Sequence, residues 1–335
     1  MNPIQNETTT SEEQPGSTLA DEMCGACGSR EIRTLFHASD RLYHTTEKSF
    51  LVVECQRCRL IRLYPKPTPA ELATYYPSDY WHSDKGGRIT AIEEFYRRLV
   101  SLDHIRFLEG AIRSAAGHGL VMDVGCGGAL LLRLLRERGH KVLGLDFSLD
   151  AAGIAWGQNG VPAFCGTLTQ APLRDASVSV LSMFHVLEHL YNPNEYLAAA
   201  HRLHEPGGRL VIQVPNAASW QFLIFGENWN GIDVPRHLHN FRLTDLNVLL
   251  DRCGFETIRT KHFSLRDNPA GFSISLAPGL DPMARRIRKI NETPARRLLK
   301  NMGHLGLMAL ALPFSLVEAL CRAGSTVMVE ARKKP

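Results

Sequence analysis

From residue 120 onward, short apolar runs alternate with segments of helical periodicity, and this alternation limits the fold more than any other feature of the sequence. The apolar runs lie near residues 120–125, 141–146, 161–165, 178–184 and 209–214. Strands that alternate with helices predict a parallel sheet covered by helices. Right-handed crossovers bring the loops after the strands to one edge of that sheet, together with the N-termini of the helices. We therefore expect a ligand at this edge.

A glycine-rich turn follows the first of these runs. The segment "VMDVGCGG" ends the strand and opens the predicted helix "ALLLRLLRERG". Gly125 and Gly127 lie where backbone can pass beneath a ligand without an intervening side chain. The dinucleotide motif G-x-G-x-x-G would need a glycine where this chain has Leu130, and Asp123 would place negative charge beside a pyrophosphate. The pattern therefore favours a cationic ligand over a diphosphate.

Four of the eight cysteines lie before residue 60, in two Cys-x-x-Cys pairs. Cys24, Cys27, Cys55 and Cys58 would supply four thiolates to a tetrahedral structural Zn²⁺, with the β segment "FLVVE" between the two turns. A redox role is the competing interpretation, but it suits one Cys-x-x-Cys within a βαβ unit better than two copies without one. The pairs thus predict a zinc ribbon whose metal has no open position for chemistry.

Three longer segments together resemble the class I S-adenosylmethionine-dependent methyltransferases. They are "VMDVGCGGALLLRLLRERGHKVLGLDFS", "MFHVLEHLYNPNEYL" and "LHEPGGRLVIQVPN". They are similar to the family's first motif with its second strand, to its fourth-strand segment and to its fifth-strand motif. The resemblance covers about residues 120–333. It implies a Rossmann-like seven-stranded α/β sheet whose last strand, "STVMVEARKK", is antiparallel, and it implies S-adenosylmethionine as cofactor.

The same resemblance implies which residues would contact the cofactor. Asp146 would end the second strand, 21 residues after Gly125, and accept both ribose hydroxyls. Its alternative role is to cap the helix that begins in "DFSLD". The family's third glycine is Ala129 here, and no acidic residue follows the third strand in "FCGTLTQAPL". The expected cofactor-binding residues are Asp123, Gly125, Cys126, Gly127, Asp146, Phe147, Thr167, Leu168 and His185.

Candidate catalytic residues follow from the chemistry of a sulfonium methyl group. That group is already electrophilic, so the protein must align a nucleophile and, for a hydroxyl acceptor, remove a proton. Histidine titrates near neutral pH and suits the second task. We expect His237 to be the base, with His185, Glu188 and His239 as further candidates. His185 could instead contact the methionine end of the cofactor, and Glu188 could bind a buried partner.

The expected domain organisation follows from these segments. The polar residues 1–20 lack an apolar signal-peptide core and predict a disordered leader of a cytoplasmic protein. Residues 215–242, which we call the lid segment, resemble a substrate lid found in a subset of the family that carries the same cysteine pairs. The aromatic residues of this segment could line a pocket or pack the domain. The predicted parts are a leader at 1–20, a zinc ribbon at 21–64, a linker with N-terminal helices at 65–118, and a methyltransferase domain at 119–335 with the lid segment and a helical insertion at 267–323.

Residues 281–322 combine basic stretches, "ARRIRKI" and "ARRLLK", with the apolar run "HLGLMALALPFSLVEAL". The uncharged stretch Leu305–Val317 is shorter than a bilayer requires, and Pro313 interrupts it. We therefore predict a helical hairpin over the active site and no transmembrane span. Peripheral contact with anionic lipid, or with a lipid-linked acceptor, remains the alternative.

The sequence thus predicts a methyltransferase that acts on a hydroxyl of a small molecule, sugar or glycan. An RNA methyltransferase that grips nucleic acid through the ribbon is the alternative, because arginines are frequent there. A formal charge of +4, with acidic residues interspersed in the ribbon, disfavours nucleic acid as a partner. A third possibility is a scaffold that binds the cofactor without turnover.

Overall fold

The computed structural model describes residues 23–77, 91–115 and 119–334. The predicted leader at 1–20 and part of the predicted linker lie outside the described residues. The strands are β1 Ile32–Ser39, β2 Ser49–Cys55, β3 Ile61–Tyr64, β4 Leu120–Val124, β5 Val142–Asp146, β6 Ala163–Cys165, β7 Val178–Phe184, β8 His204–Pro215, β9 His239–Asn240, β10 Phe255–Lys261 and β11 Thr326–Lys333. The α-helices are α1 Pro69–Thr74, α2 Ala91–Ser114, α3 Leu130–Arg136, α4 Leu149–Gly157, α5 Pro193–Leu203, α6 Trp220–Phe225, α7 Leu243–Arg252, α8 Asn268–Leu276, α9 Pro282–Ile287 and α10 Pro294–Leu320.

The larger sheet has seven strands in the order β10-β11-β8-β7-β4-β5-β6. Strands β4 to β8 pair in parallel, whereas β11 lies antiparallel to both β8 and β10. The predicted α/β fold with an antiparallel last strand is therefore confirmed. The chain runs outward from β4 through β5 to β6 on one side and through β7 to β8 on the other. The carboxyl end of β4 is thus the switch point at which open α/β sheets bind ligands.

Helices cover both faces of this sheet because its strands are apolar on both sides. Val121 and Met122 are consecutive in β4 and contribute to different cores. Val121 packs in a core with Leu108 of α2 and Leu135 of α3, while Met122 packs in the core that includes Leu250 of α7. A buried central strand of this kind fixes the position of the glycine turn that follows it.

A second, smaller sheet joins the cysteine-bearing region to the lid segment. Its order is β1-β2-β3-β9, and all pairs are antiparallel. In the β3–β9 pair, Arg62 lies opposite His239. Val52 and Leu63 of the N-terminal strands share a hydrophobic core with Trp229 and Leu238 of the lid segment. The lid segment is therefore built into the N-terminal sheet, which the sequence patterns did not predict.

The predicted hairpin at residues 281–322 has unequal arms, because α9 has 6 residues and α10 has 27. Thr293 caps the start of α10 by accepting a hydrogen bond from the backbone N–H of Arg296, and Pro294 occupies its first turn. The helix continues through Pro313 and packs against α8. Helix α8, rather than this hairpin, borders the second of the two cavities described below.

Candidate active site

A cavity of about 680 Å³ opens at the carboxyl end of β4. Its volume lies in the range that proteins use for small ligands and cofactors. The turn after β4 forms one wall, and α2 and the end of β7 form others. Among the expected cofactor residues, Asp123, Gly125, Cys126 and His185 line this cavity.

The turn after β4 adopts the left-handed backbone conformation at two glycines. Gly125 has φ of 71°, and a Cβ added there would lie 2.6 Å from Cγ2 of Val186. Gly127 has φ of 51°. Ala129, which replaces the family's third glycine, also has a positive φ of 58° and caps the start of α3. An alanine in this conformation costs about 1–2 kcal/mol relative to the right-handed one, so the turn is held by its surroundings.

Asp146 ends β5 beside this turn. Its Oδ2 accepts a hydrogen bond from the backbone N–H of Gly127 at 2.8 Å, and its Oδ1 accepts one from Ser148 at 2.9 Å. Helix α4 is capped by the Ser148 hydroxyl, so Asp146 is not the capping residue. Each carboxylate oxygen retains capacity for a further donor. The residues that line the cavity do not include the other expected cofactor residues, which are Gly127, Asp146, Phe147, Thr167 and Leu168.

Asp123 is a buried carboxyl group in the floor of the cavity. The Ser182 hydroxyl donates a hydrogen bond of 2.6 Å to its Oδ1. Burial, together with the negative charge of Asp146, raises the pKa of Asp123 to about 7. A cation placed in the cavity would favour the ionised form.

A second cavity of about 260 Å³ lies on the other side of His185. The lid segment and α8 form its walls, together with Tyr43 from the N-terminal region and the start of β11. Among the predicted catalytic residues, His185 and His237 line it, and Glu188 is buried and in contact with His185. We call it the acceptor-side cavity.

His239 lies apart from these three residues. It belongs to β9 and borders a different, smaller cavity next to Cys27 and Cys58. Burial lowers the pKa of His239 to about 3, so its ring is neutral. The structure therefore does not bring His239 together with the other predicted catalytic residues.

The imidazole of His185 is held between two carboxylates. Its Nδ1 lies 3.2 Å from Oε1 of Glu188, and its Nε2 lies 3.6 Å from Oδ2 of Asp267. Burial disfavours the charged form, but the neighbouring carboxylates of Asp267 and Glu188 outweigh burial and raise the pKa of His185 to about 9. The two carboxylates thus favour the protonated ring, which makes His185 a poor base.

His237 presents a free ring nitrogen to the acceptor-side cavity. Its Nδ1 lies 2.8 Å from the carbonyl oxygen of Gly231. A carbonyl only accepts hydrogen bonds, so Nδ1 carries the proton and Nε2 carries the lone pair. That Nε2 lies 3.9 Å from Oδ2 of Asp233. The ring also packs edge-to-face on His189, with centroids 4.6 Å apart.

Arg236 lines neither of the two cavities, although it is adjacent to His237. The side chain is fully buried, and its Nη2 lies 2.8 Å from Oδ1 of Asp40 and 2.7 Å from Oδ1 of Asp233. It therefore ties the lid segment to the N-terminal region. The sequence patterns missed Asp40 and Asp267, which lie far along the chain from their partners. Asp233, by contrast, is visible four residues before His237.

The four N-terminal cysteines converge. Sγ of Cys24 lies 3.5 Å from Sγ of Cys58, Sγ of Cys27 lies 3.5 Å from Sγ of Cys55, and all four sulfurs lie within 4.8 Å of one another. Tetrahedral zinc–thiolate bonds of about 2.3 Å imply sulfur separations of roughly 3.8 Å. The donor set and its spacing fit a structural Zn²⁺.

The strand order of the larger sheet and the cavity beyond β4 are those of the Rossmann-like methyltransferase fold. A family model described as "Methyltransferase domain" matches residues 93–260, which is half of the chain, and the chain belongs to this family.

The chain is similar to several known proteins. It is 30% identical over 142 residues to a probable S-adenosylmethionine-dependent methyltransferase of Mycolicibacterium smegmatis. The aligned region covers 41% of this chain and 51% of that protein. It is 29% identical over 130 residues to a ubiquinone biosynthesis O-methyltransferase of Pseudomonas paraeruginosa, covering 36% of this chain and 56% of that protein. The chain thus spans about half the length of these relatives.

Solved structures are similar in fold at low sequence identity. One is the 1,6-didemethyltoxoflavin-N1-methyltransferase of Burkholderia thailandensis with bound S-adenosylhomocysteine. Its TM-score is 0.47 at 17% identity, and the match covers 88% of this chain and 98% of that one.

Proposed function

We propose that the protein is an S-adenosylmethionine-dependent methyltransferase that methylates a hydroxyl group of a small molecule, sugar, or glycan- or lipid-linked acceptor. One observation carries the proposal beyond family membership. His185 lines both the cavity at the glycine turn and the acceptor-side cavity. A methyl donor in the first cavity and a hydroxyl in the second would therefore meet at this side chain.

In this proposal the cofactor binds at the edge of the sheet where β4 ends. The Asp123 carboxylate supports the positive charge of the cofactor, and Gly125 and Gly127 let its methionine and ribose portions approach the backbone. The Asp146 oxygens accept the ribose hydroxyls with the capacity that their backbone hydrogen bonds leave. Phe147, Thr167, Leu168 and the backbone near them contact the adenine, while Cys126 supports the turn.

The transfer itself needs alignment and one proton acceptor. The hydroxyl oxygen of the acceptor attacks the methyl carbon, the bond from that carbon to sulfur breaks, and the hydroxyl proton passes to Nε2 of His237. The lone pair on that nitrogen supports this role. His185 is a positioning group, because the carboxylates of Glu188 and Asp267 favour its protonated ring.

The N-terminal module has a structural role in this proposal. A Zn²⁺ ion bound by Cys24, Cys27, Cys55 and Cys58 holds the two turns at the base of the small sheet. All four positions around the ion are filled by thiolates, so the ion supplies stability to the fold.

RNA is the less favoured acceptor. Glu54 pairs with Arg33, Arg59 and Arg242, and Arg62 is fully buried. These contacts remove much of the positive surface that would track a phosphate backbone. The similarity to ubiquinone biosynthesis O-methyltransferases also favours a small hydroxyl compound.

The test incubates the protein with methyl-labelled S-adenosylmethionine and fractionated extracts that contain small molecules, glycolipids or RNA. We expect label in a small-molecule or glycolipid fraction. His237→Ala should lower that turnover at least a hundredfold while cofactor affinity changes less than threefold. Equal turnover in this variant would place the base elsewhere. Binding of the cofactor without transfer to any fraction would favour the non-catalytic scaffold.

A further inference from the structure

Three side chains bring potential ligand atoms close together beside the acceptor-side cavity, which two of them, His189 and His237, line. Glu188, His189 and His237 each offer one atom, and these atoms lie within 4.8 Å of one another. We propose that they form a binding site for a divalent transition-metal ion, separate from the four-cysteine site. The site lies where the proposed acceptor binds, so its role in catalysis rests on the proposed function, whereas metal binding itself does not.

The two histidines are held in the tautomer that a metal needs. Nδ1 of His237 donates to the carbonyl oxygen of Gly231 at 2.8 Å. Nδ1 of His189 lies 3.1 Å from the carbonyl oxygen of Arg236, which only accepts, and 2.9 Å from the hydroxyl of Tyr76, whose oxygen can accept the same proton. Both rings therefore carry their lone pair on Nε2, and among the described residues neither Nε2 has a hydrogen bond. Metal-binding histidines in proteins are commonly oriented in this way, with the other ring nitrogen bound to a carbonyl or carboxylate.

Glu188 supplies the negative charge. Its side chain is 1% exposed, and Oε1 is engaged by His185. Oε2 is buried and has no hydrogen-bond partner among the residues that the structure describes. A buried carboxylate oxygen without a partner is costly, and a bound cation would remove that cost.

The donor set indicates the class of ion. Two imidazoles and one carboxylate on one side, with open space on the other, suit Fe²⁺, Mn²⁺, Co²⁺ or Zn²⁺ better than Ca²⁺. The open side faces the acceptor-side cavity, with Asp233 as a neighbour of His237. An acceptor with two adjacent oxygen atoms, such as a vicinal diol or a catechol, could complete the coordination. A metal ion lowers the pKa of a bound hydroxyl, so with the ion bound the acceptor would lose its proton to solvent, and His237 would serve as a ligand in place of the base role assigned to it above.

Cobalt(II) tests the site directly, because thiolate ligands give charge-transfer absorption that imidazole and carboxylate ligands do not. The full-length protein, loaded with one equivalent of Zn²⁺, is titrated with Co²⁺ by calorimetry and by absorption. Glu188→Gln and His237→Ala are compared with His140→Ala, a histidine that follows α3 outside both cavities. Thermal melting and binding of S-adenosylhomocysteine report whether each variant is folded.

We expect the wild-type protein and His140→Ala to bind one Co²⁺ without thiolate absorption. The two site variants should bind it at least tenfold more weakly and keep their affinity for S-adenosylhomocysteine. Unchanged Co²⁺ affinity in folded Glu188→Gln and His237→Ala, or Co²⁺ that binds only with thiolate absorption, would overturn the proposal. Metal binding without any methyl transfer would leave the site standing and contradict the proposed function.

A different observation concerns α10, which exposes its large apolar side chains and buries polar or small ones. By length and composition it is the one helix in the described ranges that is long and apolar enough to cross a membrane, and 22% of its most apolar stretch is buried. The residues of α10 that face the protein are polar or small: His304, Ala311, Ser315 and Glu318. Its exposed residues include Leu298, Leu299, Met302, Leu305, Leu310, Leu316, Val317 and Leu320. Exposed Leu223 and Ile224 come from α6, which contacts α10 through Trp220 and Phe314.

Basic residues flank one end of this apolar face. Arg286, Arg288 and Lys289 are exposed beside the start of α10, and Arg296 and Arg297 are exposed in its first turns. Cationic residues next to exposed apolar side chains are typical of surfaces that bind anionic bilayers. We infer that the α10 face, defined by the exposed residues named above, docks peripherally on an anionic membrane. The contacts of Glu318 with Gln221 and Asn268 keep the opposite side of the helix in the protein.

Flotation of the full-length protein with phosphatidylcholine vesicles, with and without 30 mol % phosphatidylglycerol, tests this inference. We expect the wild-type protein to float with the anionic vesicles. The bound fraction should fall at least fivefold in the double variants Leu299→Glu/Leu310→Glu and Arg296→Glu/Arg297→Glu. Trp156→Glu, which changes an exposed apolar residue of α4, should bind like the wild type. Absence of flotation with anionic vesicles would overturn the inference. So would concentration-dependent dimerisation that the Leu299→Glu/Leu310→Glu variant abolishes without any vesicle binding, because the face would then cover a second copy.

Discussion

At the scale of single residues, the most informative group is a carboxyl that is not fully ionised. Asp123 is buried at the end of β4, and its pKa of about 7 reflects that burial. Such a group contributes little attraction to a cation below pH 7 and its full attraction above it. The charge of the cavity at the end of β4 therefore changes within the physiological range.

This titration predicts a pH dependence of cofactor binding. Because the raised pKa leaves Asp123 largely neutral at pH 6 and ionised at pH 8, affinity for S-adenosylmethionine should rise about tenfold between these values. Calorimetry across this range measures the effect. Asp123→Asn should bind more weakly at pH 8 and remove most of the slope. A slope that persists in this variant would assign the titration to another group.

Asp146 has a different role and gives a prediction that does not depend on pH. Its carboxylate orders the backbone of Gly127 and Ser148 and is expected to accept the ribose hydroxyls. Asp146→Ala should weaken cofactor binding at least tenfold by calorimetry, since two hydrogen bonds to a charged group are lost. Asp150→Ala, in the first turn of α4, is the matched control. Unchanged affinity in Asp146→Ala would count against the assignment.

At the scale of elements, the contact between the N-terminal region and the lid segment depends on one buried ion-pair group. Arg236 is enclosed by Asp40 and Asp233, and its contact with Asp40 joins residues nearly 200 positions apart. Removing one partner from a buried pair leaves an uncompensated charge, which is more costly than the pair is stabilising. The contact between the N-terminal region and the lid segment is therefore sensitive to substitution of these charged residues.

Asp40→Ala should lower the free energy of unfolding by about 3–5 kcal/mol, because Arg236 then stays buried with one carboxylate fewer. Chemical denaturation at pH 7 measures the loss. Burial opposes ionisation of Asp40, but Arg236 lowers its pKa from 3.8 to about 2. Its stabilising contribution should thus be complete above about pH 4 and be lost as pH falls towards 2. The triple variant Asp40→Ala/Asp233→Asn/Arg236→Met, which removes the charges of both carboxylates together with that of Arg236, should recover part of the stability, and no recovery would contradict this account.

At the scale of the whole molecule, the four cysteines are expected to support more than their own turns. Elemental analysis should find one Zn²⁺ at this site per chain. Because β3 carries β9, removal of that zinc with a strong chelator should increase hydrogen exchange in β1 to β3 and also in residues 229–241. The central strands β4 and β7 should keep their protection. A zinc-free chain with unchanged exchange in both regions would refute a structural role for the metal.

Local sequence patterns predict part of the fold of the whole molecule but not its long-range contacts. The strands of the larger sheet follow from local apolar runs, and the glycine turn follows from residues that are adjacent in the chain. Asp267 reaches His185 only after the chain has completed β8, the lid segment and β10, so no local pattern marks it. The pairing of β3 with β9 is also non-local and involves only two residues of the lid segment. The orientation of α10 differs from the usual rule, since its apolar side faces outward.

The lid segment has one end in each of two sheets. Asn216 bridges Phe241 next to the larger sheet, while His239 and Asn240 are hydrogen bonded to β3. If residues 215–242 were grafted onto another scaffold, β9 would be transferred without β3, the strand with which it pairs. A transplanted lid segment therefore needs the cysteine-bearing region, which supplies β3 as the partner of β9.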